Sequence, residues 1–108
     1  MSYNVLTITP FDKQLKKLVK KYPSLKTEIA DLINQLKTEP DKGISLGNDC
    51  YKIRLAIASK GKGKSGGARV ITYLTITDSE IYLLSIYDKS QQSDIEDKDL
   101  LRLIDLIR

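Results

Sequence analysis

The sequence predicts an α+β fold in which a mainly antiparallel four-stranded sheet carries a two-helix hairpin on one face. Two apolar stripes at helical spacing occupy the first third of the chain, and three strand-like stretches follow one another in the second half. A last apolar stripe at helical spacing closes the sequence. The predicted order is β-α-α-β-β-β-α. With 108 residues and no repeat, the chain fits one domain over residues 1–108.

A short strand and two helices are predicted first. Residues 3–8 are rich in β-branched and aromatic side chains, which favours a strand. Thr9 is a suitable N-cap with Pro10 in the first helical position, and Ser24 can cap a second helix after Pro23. The first helix carries lysines opposite its apolar stripe, and these form either a solvated surface or a contact with nucleic-acid backbone. The five lysines are Lys13, Lys16, Lys17, Lys20 and Lys21.

The sheet follows a predicted loop over residues 44–49. From residue 50 the sequence alternates, so that Tyr51, Ile53 and Leu55 face the helices while Lys52 and Arg54 project from an open face, about 7 Å apart along the strand. The next strands are predicted over about residues 68–76 and 81–87. A capping box over residues 93–96 then predicts a C-terminal helix with an apolar set of Leu100, Leu101, Ile104 and Ile107.

Positive charge is concentrated in the middle of the chain. Between Cys50 and Thr77 there are six Lys or Arg and no Asp or Glu, in a protein of net charge +4 and pI near 9.1. The remainder of the chain is therefore slightly acidic. Such clustering indicates an anionic partner, either nucleic acid or an acidic protein. The six residues are Lys52, Arg54, Lys60, Lys62, Lys64 and Arg69.

Composition excludes several kinds of site. The chain has no His and one Cys, which excludes Ser-His and Cys-His nucleophiles and argues against zinc. No cofactor is expected. A phosphate loop at Gly63-Lys64-Ser65 is rejected, because Ala58 replaces its first glycine and a strand follows instead of a helix. The carboxylates near residues 94–99 suit the first turns of a helix. No apolar run could span a bilayer and no signal peptide is evident, so a cytoplasmic protein is expected.

The basic open face is the best candidate site. Lys52, Arg54, Arg69 and Lys89, with Tyr87, would suit phosphate binding or phosphoryl cleavage. RNA can supply its own 2′-OH nucleophile, so the protein needs only to orient it, stabilise developing charge and assist proton transfer. Lysines of the glycine-rich loop, Lys60, Lys62 and Lys64, would grip the backbone.

Three motifs carry a family resemblance. They are Cys50-Tyr51-Lys52-Ile53-Arg54-Leu55, Gly67-Ala68-Arg69-Val70-Ile71-Thr72-Tyr73 and Ile86-Tyr87-Asp88-Lys89. Over nearly the whole chain the sequence resembles the RelE/HigB toxins of bacterial type II toxin–antitoxin modules, particularly a HigB-like branch. The resemblance implies a ribosome-dependent mRNA endonuclease that cleaves in the A site, and a cognate antitoxin protein as partner.

The resemblance also implies roles for individual residues. Lys52 and Arg54 match a basic pair, with Lys52 as candidate base because a guanidinium is effectively never deprotonated. Arg69 matches an arginine that stabilises the transition state, and Lys89 stands where RelE has an Arg. The tyrosine that stacks on the mRNA base corresponds to Ile95 here, so that Tyr73 or Tyr87 would have to replace it. Gln91 stands where the HigB branch has Glu.

Two other functions are compatible with the sequence. A ParE-like toxin shares the fold and inhibits gyrase, although such chains often lack the cations of the open face. A non-enzymatic nucleic-acid-binding protein could use the same basic patch. The two differ from an endonuclease in what they leave intact: neither cuts mRNA.

Overall fold

Five strands and three α-helices make up the fold in a computed structural model that describes residues 2–61, 63 and 66–107. The observed order is β-α-α-β-β-β-β-α, with a single 3-10 turn at Ala58–Lys60. The elements are β1 (Asn4–Thr7), α1 (Thr9–Lys21), α2 (Leu25–Leu36), β2 (Ile44–Gly47), β3 (Cys50–Leu55), β4 (Ala68–Thr75), β5 (Glu80–Asp88) and α3 (Asp97–Asp105).

The strands form one sheet in the order β1-β5-β4-β3-β2. All neighbours are antiparallel except β1 and β5, which run parallel. The α+β class and the mainly antiparallel sheet are thus confirmed, and the N-terminal strand lies at an edge as predicted. The predicted loop over residues 44–49 is wrong in part, because β2 pairs with β3 and adds a fifth strand.

The signal for this extra strand is a two-residue hairpin turn. Asn48 and Asp49 both have positive φ, 53° and 62°. Asn and Asp tolerate this conformation, and consecutive residues with positive φ are typical of the tight turns that match the twist of antiparallel strands. Asn48-Asp49 is therefore a turn between β2 and β3 rather than the end of a long loop.

Helices cover both faces of the sheet. On one face α1 and α2 bury Phe11, Leu25 and Leu32 against strand residues such as Val70 and Leu83. On the other face α3 places side chains over Cys50, Ile71 and Leu84; these are Leu100 and Ile104, 1% and 4% exposed. The face predicted to be open is therefore half-covered, since the sheet needs an apolar layer on both sides of its central strand.

Two helix starts differ from the predicted ones. Ile8 occupies the N-cap of α1, so Thr9 is already helical, and neither that helix nor α3 has a side-chain capping bond. α3 begins at Asp97 with Glu96 as N-cap, so the capping box at residues 93–96 is wrong. Residues 90–96 remain extended or turned because they cross the sheet, as described below. Within α3, Leu101 is 48% exposed and does not join the core.

Among the residues that the structure describes, no helix is both long enough and apolar enough to cross a membrane.

Candidate functional site

Strand register brings the predicted cations together. Arg54 on β3 lies opposite Arg69 on β4, and Arg69 lies opposite Tyr87 on β5. Lys52 is two residues from Arg54 and shares its face by strand alternation. Lys89 follows β5, where its backbone N–H donates to the Gly67 carbonyl at 3.0 Å. We call Lys52, Arg54, Arg69 and Lys89 the basic face; it lies on the α3 side of the sheet.

A β-bulge in β5 determines which side chains reach this face. Thr72 pairs with Leu83, but the preceding Ile71 pairs with Ser85, so Leu84 is an extra residue in β5. An extra residue reverses the faces of all later side chains. Without it, Tyr87 would share the side of Ile81 and Leu83, under α1 and α2. With it, Tyr87 packs in the α3 core beside Arg69. Alternation along the chain then places Lys89 on the same side.

Arg69 is the most buried member of the basic face. The residue is 4% exposed, and its Nη1 donates to the Ala68 carbonyl at 3.1 Å. Arg54, by contrast, is exposed. Like charges directly opposite in an antiparallel pair repel each other. The register thus brings two arginines to the same face of the sheet, where both can contribute to a surface that suits an anion.

A carboxylate does lie against this face. Asp94 Oδ1 is 3.4 Å from Lys52 Nζ and accepts a hydrogen bond from the Ile95 N–H at 2.9 Å. This backbone bond, followed by Lys52 and Lys89, holds the pKa of Asp94 below its usual value. Burial raises the pKa of Tyr87, and the Asp94 charge raises it further while Arg69 opposes the shift. Asp94 therefore acts on three neighbours of one site.

The chain matches one protein-family model over most of its length. The family model for the RelE toxin of the RelE/RelB toxin–antitoxin system matches residues 11–106. The chain belongs to the RelE toxin family. A RelE-family domain thus accounts for nearly every element described above, from α1 to α3. Assignment to a HigB-like branch within it stays a prediction.

Solved structures show the same fold. A mutant of the E. coli toxin RelE in the free state is 16% identical, with a TM-score of 0.62 over 86% of this chain and 90% of that chain. The isolated E. coli RelE toxin is 18% identical, with a TM-score of 0.52 over 99% and 100%. RelE in the E. coli RelBE toxin–antitoxin complex is 19% identical, with a TM-score of 0.51 over 81% and 96%.

Lys60 of this RelE-family chain is not a loop lysine. Its side chain is 8% exposed and pairs with Asp88, whose side chain is 1% exposed, on the α1–α2 side of the sheet. Tyr22 Oη donates to the same carboxylate at 3.1 Å, and the Ser90 N–H donates at 2.9 Å. The charge of Lys60 is thus already neutralised inside the protein, and its contact with RNA stays a prediction. Lys62 and Lys64 lie outside the described residues.

The tyrosines proposed to stack on a base are both buried. Tyr73 is 5% exposed and packs against the Tyr82 ring, with centroids 6.4 Å apart. It lies four residues along β4 from Arg69, and its ring is covered in this conformation; its contact with RNA stays a prediction. Tyr87 is 6% exposed, and its buried hydroxyl has no hydrogen-bond partner among the described residues. Tyr87 thus lies next to the basic face, but its ring is too buried to stack on a base. Ile95 is half-buried against the α3 core.

The other end of the sheet is acidic. A cavity of about 530 Å³ there is lined by Asp49, Asp78 and Glu80 together with Tyr73 and Tyr82. Its carboxylates would repel a polyanion. The described residues contain no group of His, Cys, Asp and Glu arranged to hold a metal ion. Of these two ends of the sheet, the basic face is therefore the one that suits an anionic ligand.

Sequence reasoning missed two features of the site. It placed Asp94 in the first turn of a helix, although that residue pairs with Lys52 forty-two positions earlier. It also had no means of detecting the bulge, because Leu84 and Leu83 are both ordinary strand residues. Strand register supplies both, and register becomes visible only when the strands are paired.

Proposed function

We propose that this RelE-family toxin is a ribosome-dependent mRNA endonuclease. The observation that carries the proposal is the Arg54–Arg69 pair facing each other across β3 and β4, with Lys52 and Lys89 on the same face. Two opposed guanidinium groups suit an anion whose charge increases during the reaction, as the scissile phosphate does when the 2′-OH attacks. Both arginines are placed by paired strands rather than by a loop, which favours a preorganised site.

The reaction can be written with the residues of this face. Lys52, the candidate base, takes the proton of the 2′-OH, whose oxygen attacks the adjacent phosphorus. Arg69 and Arg54 stabilise the pentacoordinate transition state. Lys89 gives a proton to the departing 5′ oxygen, leaving a cyclic 2′,3′-phosphate and a 5′-hydroxyl end. The ribosome would contribute by holding the mRNA in the geometry that in-line attack requires.

An antitoxin is the proposed protein partner. RelE of E. coli is known in complex with its antitoxin RelB. An antitoxin encoded beside this toxin would inhibit it either by covering the basic face or by keeping it away from the ribosome. Acidic side chains on the antitoxin would complement the basic face.

Inducible expression with mapping of mRNA 5′ ends tests the proposal. We expect new 5′ ends inside translated frames, and we expect them to disappear when translation is blocked before induction. Growth arrest with intact mRNA and relaxed or broken DNA would instead indicate gyrase as the target. RNA binding by the purified protein without any cuts in translating cells would reduce the protein to a binding module.

A further inference from the structure

The segment between β5 and α3 crosses the basic face. It leaves the sheet after Asp88 on β5, and its Asp94 reaches Lys52 on β3. Since β4 lies between β5 and β3, the segment spans the strand that carries Arg69. Ile95 anchors the end of this crossing in the α3 core. Asp94 is thereby brought to the basic face by the path of the chain rather than by a chance rotamer.

The carboxylate lies where a phosphate oxygen could be accepted. Its Oδ1 approaches Lys52 Nζ to 3.4 Å, and its charge also interacts with Lys89. Carboxylate and phosphate oxygens accept the same charge-assisted hydrogen bonds from lysine. The Asp94 side chain is 61% exposed while that of Lys52 is 21% exposed, so an incoming anion can reach the pair from solvent. The other described carboxylate near the end of β5, Asp88, is engaged with Lys60 on the opposite side of the sheet.

We propose that Asp94 occupies an RNA phosphate subsite beside Lys52 in the unbound toxin, and that RNA displaces it. This rests on the proposed function for the identity of the ligand. Displacement leaves an uncompensated carboxylate beside a phosphate, which opposes binding. Asp94 therefore lowers the affinity for RNA that is not bound to the ribosome. Tight binding then depends on further contacts, such as those that the ribosome provides by holding the strand in place.

Binding of a non-cleavable RNA tests this independently of catalysis. The probe is a short fluorescently labelled single strand that is 2′-O-methylated throughout, so that no attacking hydroxyl exists. Its affinity is measured by anisotropy at low and high salt for the wild type and for Asp94→Asn. Asparagine keeps an oxygen that can accept the Ile95 N–H bond and removes only the charge. Asp105→Asn, at the exposed end of α3, changes the net charge equally and serves as the control.

We expect Asp94→Asn to bind about twofold to fivefold more tightly at low salt, the size of an exposed ion-pair effect. The gain should shrink at high salt, where surface charges are screened. Asp105→Asn should leave affinity nearly unchanged. In a Lys52→Met background, Asp94→Asn should bring no gain, because the displaced partner is then absent.

Two results would overturn the proposal. One is an increase in affinity for Asp94→Asn that is no greater than that for Asp105→Asn. That result would show that only the net charge of the protein matters. The other is a gain that persists without Lys52. Failure of the proposed function has a different signature, since uncut mRNA in cells expressing the wild type would not alter this comparison of affinities.

Discussion

Arg69 combines full charge with near-complete burial. A guanidinium that is 4% exposed and faces Arg54 across the strand pair is costly to keep unless its hydrogen-bond donors are well placed. Such residues are typical of sites whose geometry must be fixed before a ligand arrives. Alanine at this position would leave a cavity in the covered part of the sheet. Glutamine fills most of the space and keeps an amide N–H donor while it removes the charge, so it is the better probe.

Arg69→Gln should lower the rate of mRNA cleavage by about 10²–10³, the loss seen when one stabilising donor is removed from a transition state. The free energy of unfolding should fall by no more than about 2 kcal/mol. Cleavage is measured in a translating extract and unfolding by urea titration. Arg102→Gln is the control, since that side chain is 73% exposed on α3. Equal activity of Arg69→Gln and wild type would remove Arg69 from the mechanism.

Single residues were predictable where alternation alone decides their place. The period-2 pattern over Cys50–Leu55 put Lys52 and Arg54 on one face, and the structure agrees. Lys60 was not predictable, because its partner Asp88 lies 28 residues away and the pairing depends on the path of the loop. Tyr73 was predicted to be accessible to RNA, but α3 at the end of the chain covers it. Burial depends on contacts between residues far apart in sequence, and local patterns do not show these contacts.

At the scale of elements, the Lys60–Asp88 pair fastens three of them. The 3-10 turn supplies Lys60, β5 supplies Asp88, and the end of α1 contributes the Tyr22 hydroxyl. Ser24 and Ser59 hydroxyls, 2.8 Å apart, add a second tie between the 3-10 turn and the start of α2. Asp88 lies between Tyr87 and Lys89 in sequence, so this buried cluster on one side of the sheet fixes residues that project from the other.

Lys60→Met should lower the free energy of unfolding by about 3–5 kcal/mol at pH 7, because it leaves a buried carboxylate unpaired. Tyr22→Phe removes one hydrogen bond to the same group and should cost about 1 kcal/mol. Urea titrations give both values. Lys98→Met, whose side chain is 72% exposed, should change stability by less than about 0.5 kcal/mol. A Lys60→Met protein as stable as the wild type would show that the pair is not an anchor.

The same pair predicts a dependence on pH. Burial alone would raise the pKa of Asp88, but hydrogen bonds from Lys60, Ser90 and Tyr22 lower it well below its usual value. A depressed pKa in the folded state gives stability that is complete above the unfolded value of about 4 and is lost as the pH falls further. In Lys60→Met the ion pair is lost, so burial raises the pKa of Asp88 in the folded protein. The difference in free energy of unfolding between Lys60→Met and the wild type should therefore become smaller between pH 7 and pH 3.

Gly67 is required by the close approach of β3 and β4. A Cβ added there would lie 2.1 Å from the Leu55 carbonyl oxygen, which belongs to the backbone and cannot turn aside. Gly67→Ala should therefore cost about 1–3 kcal/mol in urea titrations and reduce cleavage by displacing Arg69 from Arg54. Gly61→Ala is the matched control: open space surrounds it, and only its φ of +75° is strained, at about 1–2 kcal/mol. Normal cleavage by Gly67→Ala would contradict the link to the site.

At the scale of the whole molecule, two groups of positive charge stand out among the described residues. The exposed lysines of α1 lie on the outside of the helical layer, and the basic face lies on the opposite side of the sheet. Solvated lysines contact phosphate without fixing its geometry. Under the proposed function they would contribute affinity for ribosomal RNA or mRNA, whereas the basic face would place the reacting atoms.

Lys16→Gln/Lys20→Gln should therefore weaken binding to translating ribosomes in a salt-dependent way. For single-stranded contacts the slope of log K against log salt should flatten by up to about 1.4, or 0.7 for each lost contact. The cleavage rate at saturating toxin should not change. Affinity is measured by co-sedimentation over a range of salt concentrations. A fall in the saturating rate would instead place α1 in the catalytic geometry.

The class of fold was predictable from periodicity, but the fifth strand and the helix that covers the second face of the sheet were not. Apolar stripes and strand alternation gave the helical hairpin, the central strands and the last helix. They did not give β2, whose four residues include two exposed ends, or the covering of the sheet by α3. Both depend on which strand edge and which sheet face still need a partner, and these are properties of the assembled molecule.

The bulge in β5 makes the length of this strand as important as its composition. In its first half, Ile81 and Leu83 point toward the helical hairpin. The extra residue, Leu84, shifts the second half, so that Tyr87 and then Lys89 point toward α3. Replacing Leu84 would alter packing alone. Deleting it would exchange the two sides beyond that point, sending Lys89 into the apolar interior and Asp88 to the α3 side of the sheet. In RelE-family relatives with this site, substitutions in β5 should thus be tolerated far better than a change of one residue in its length.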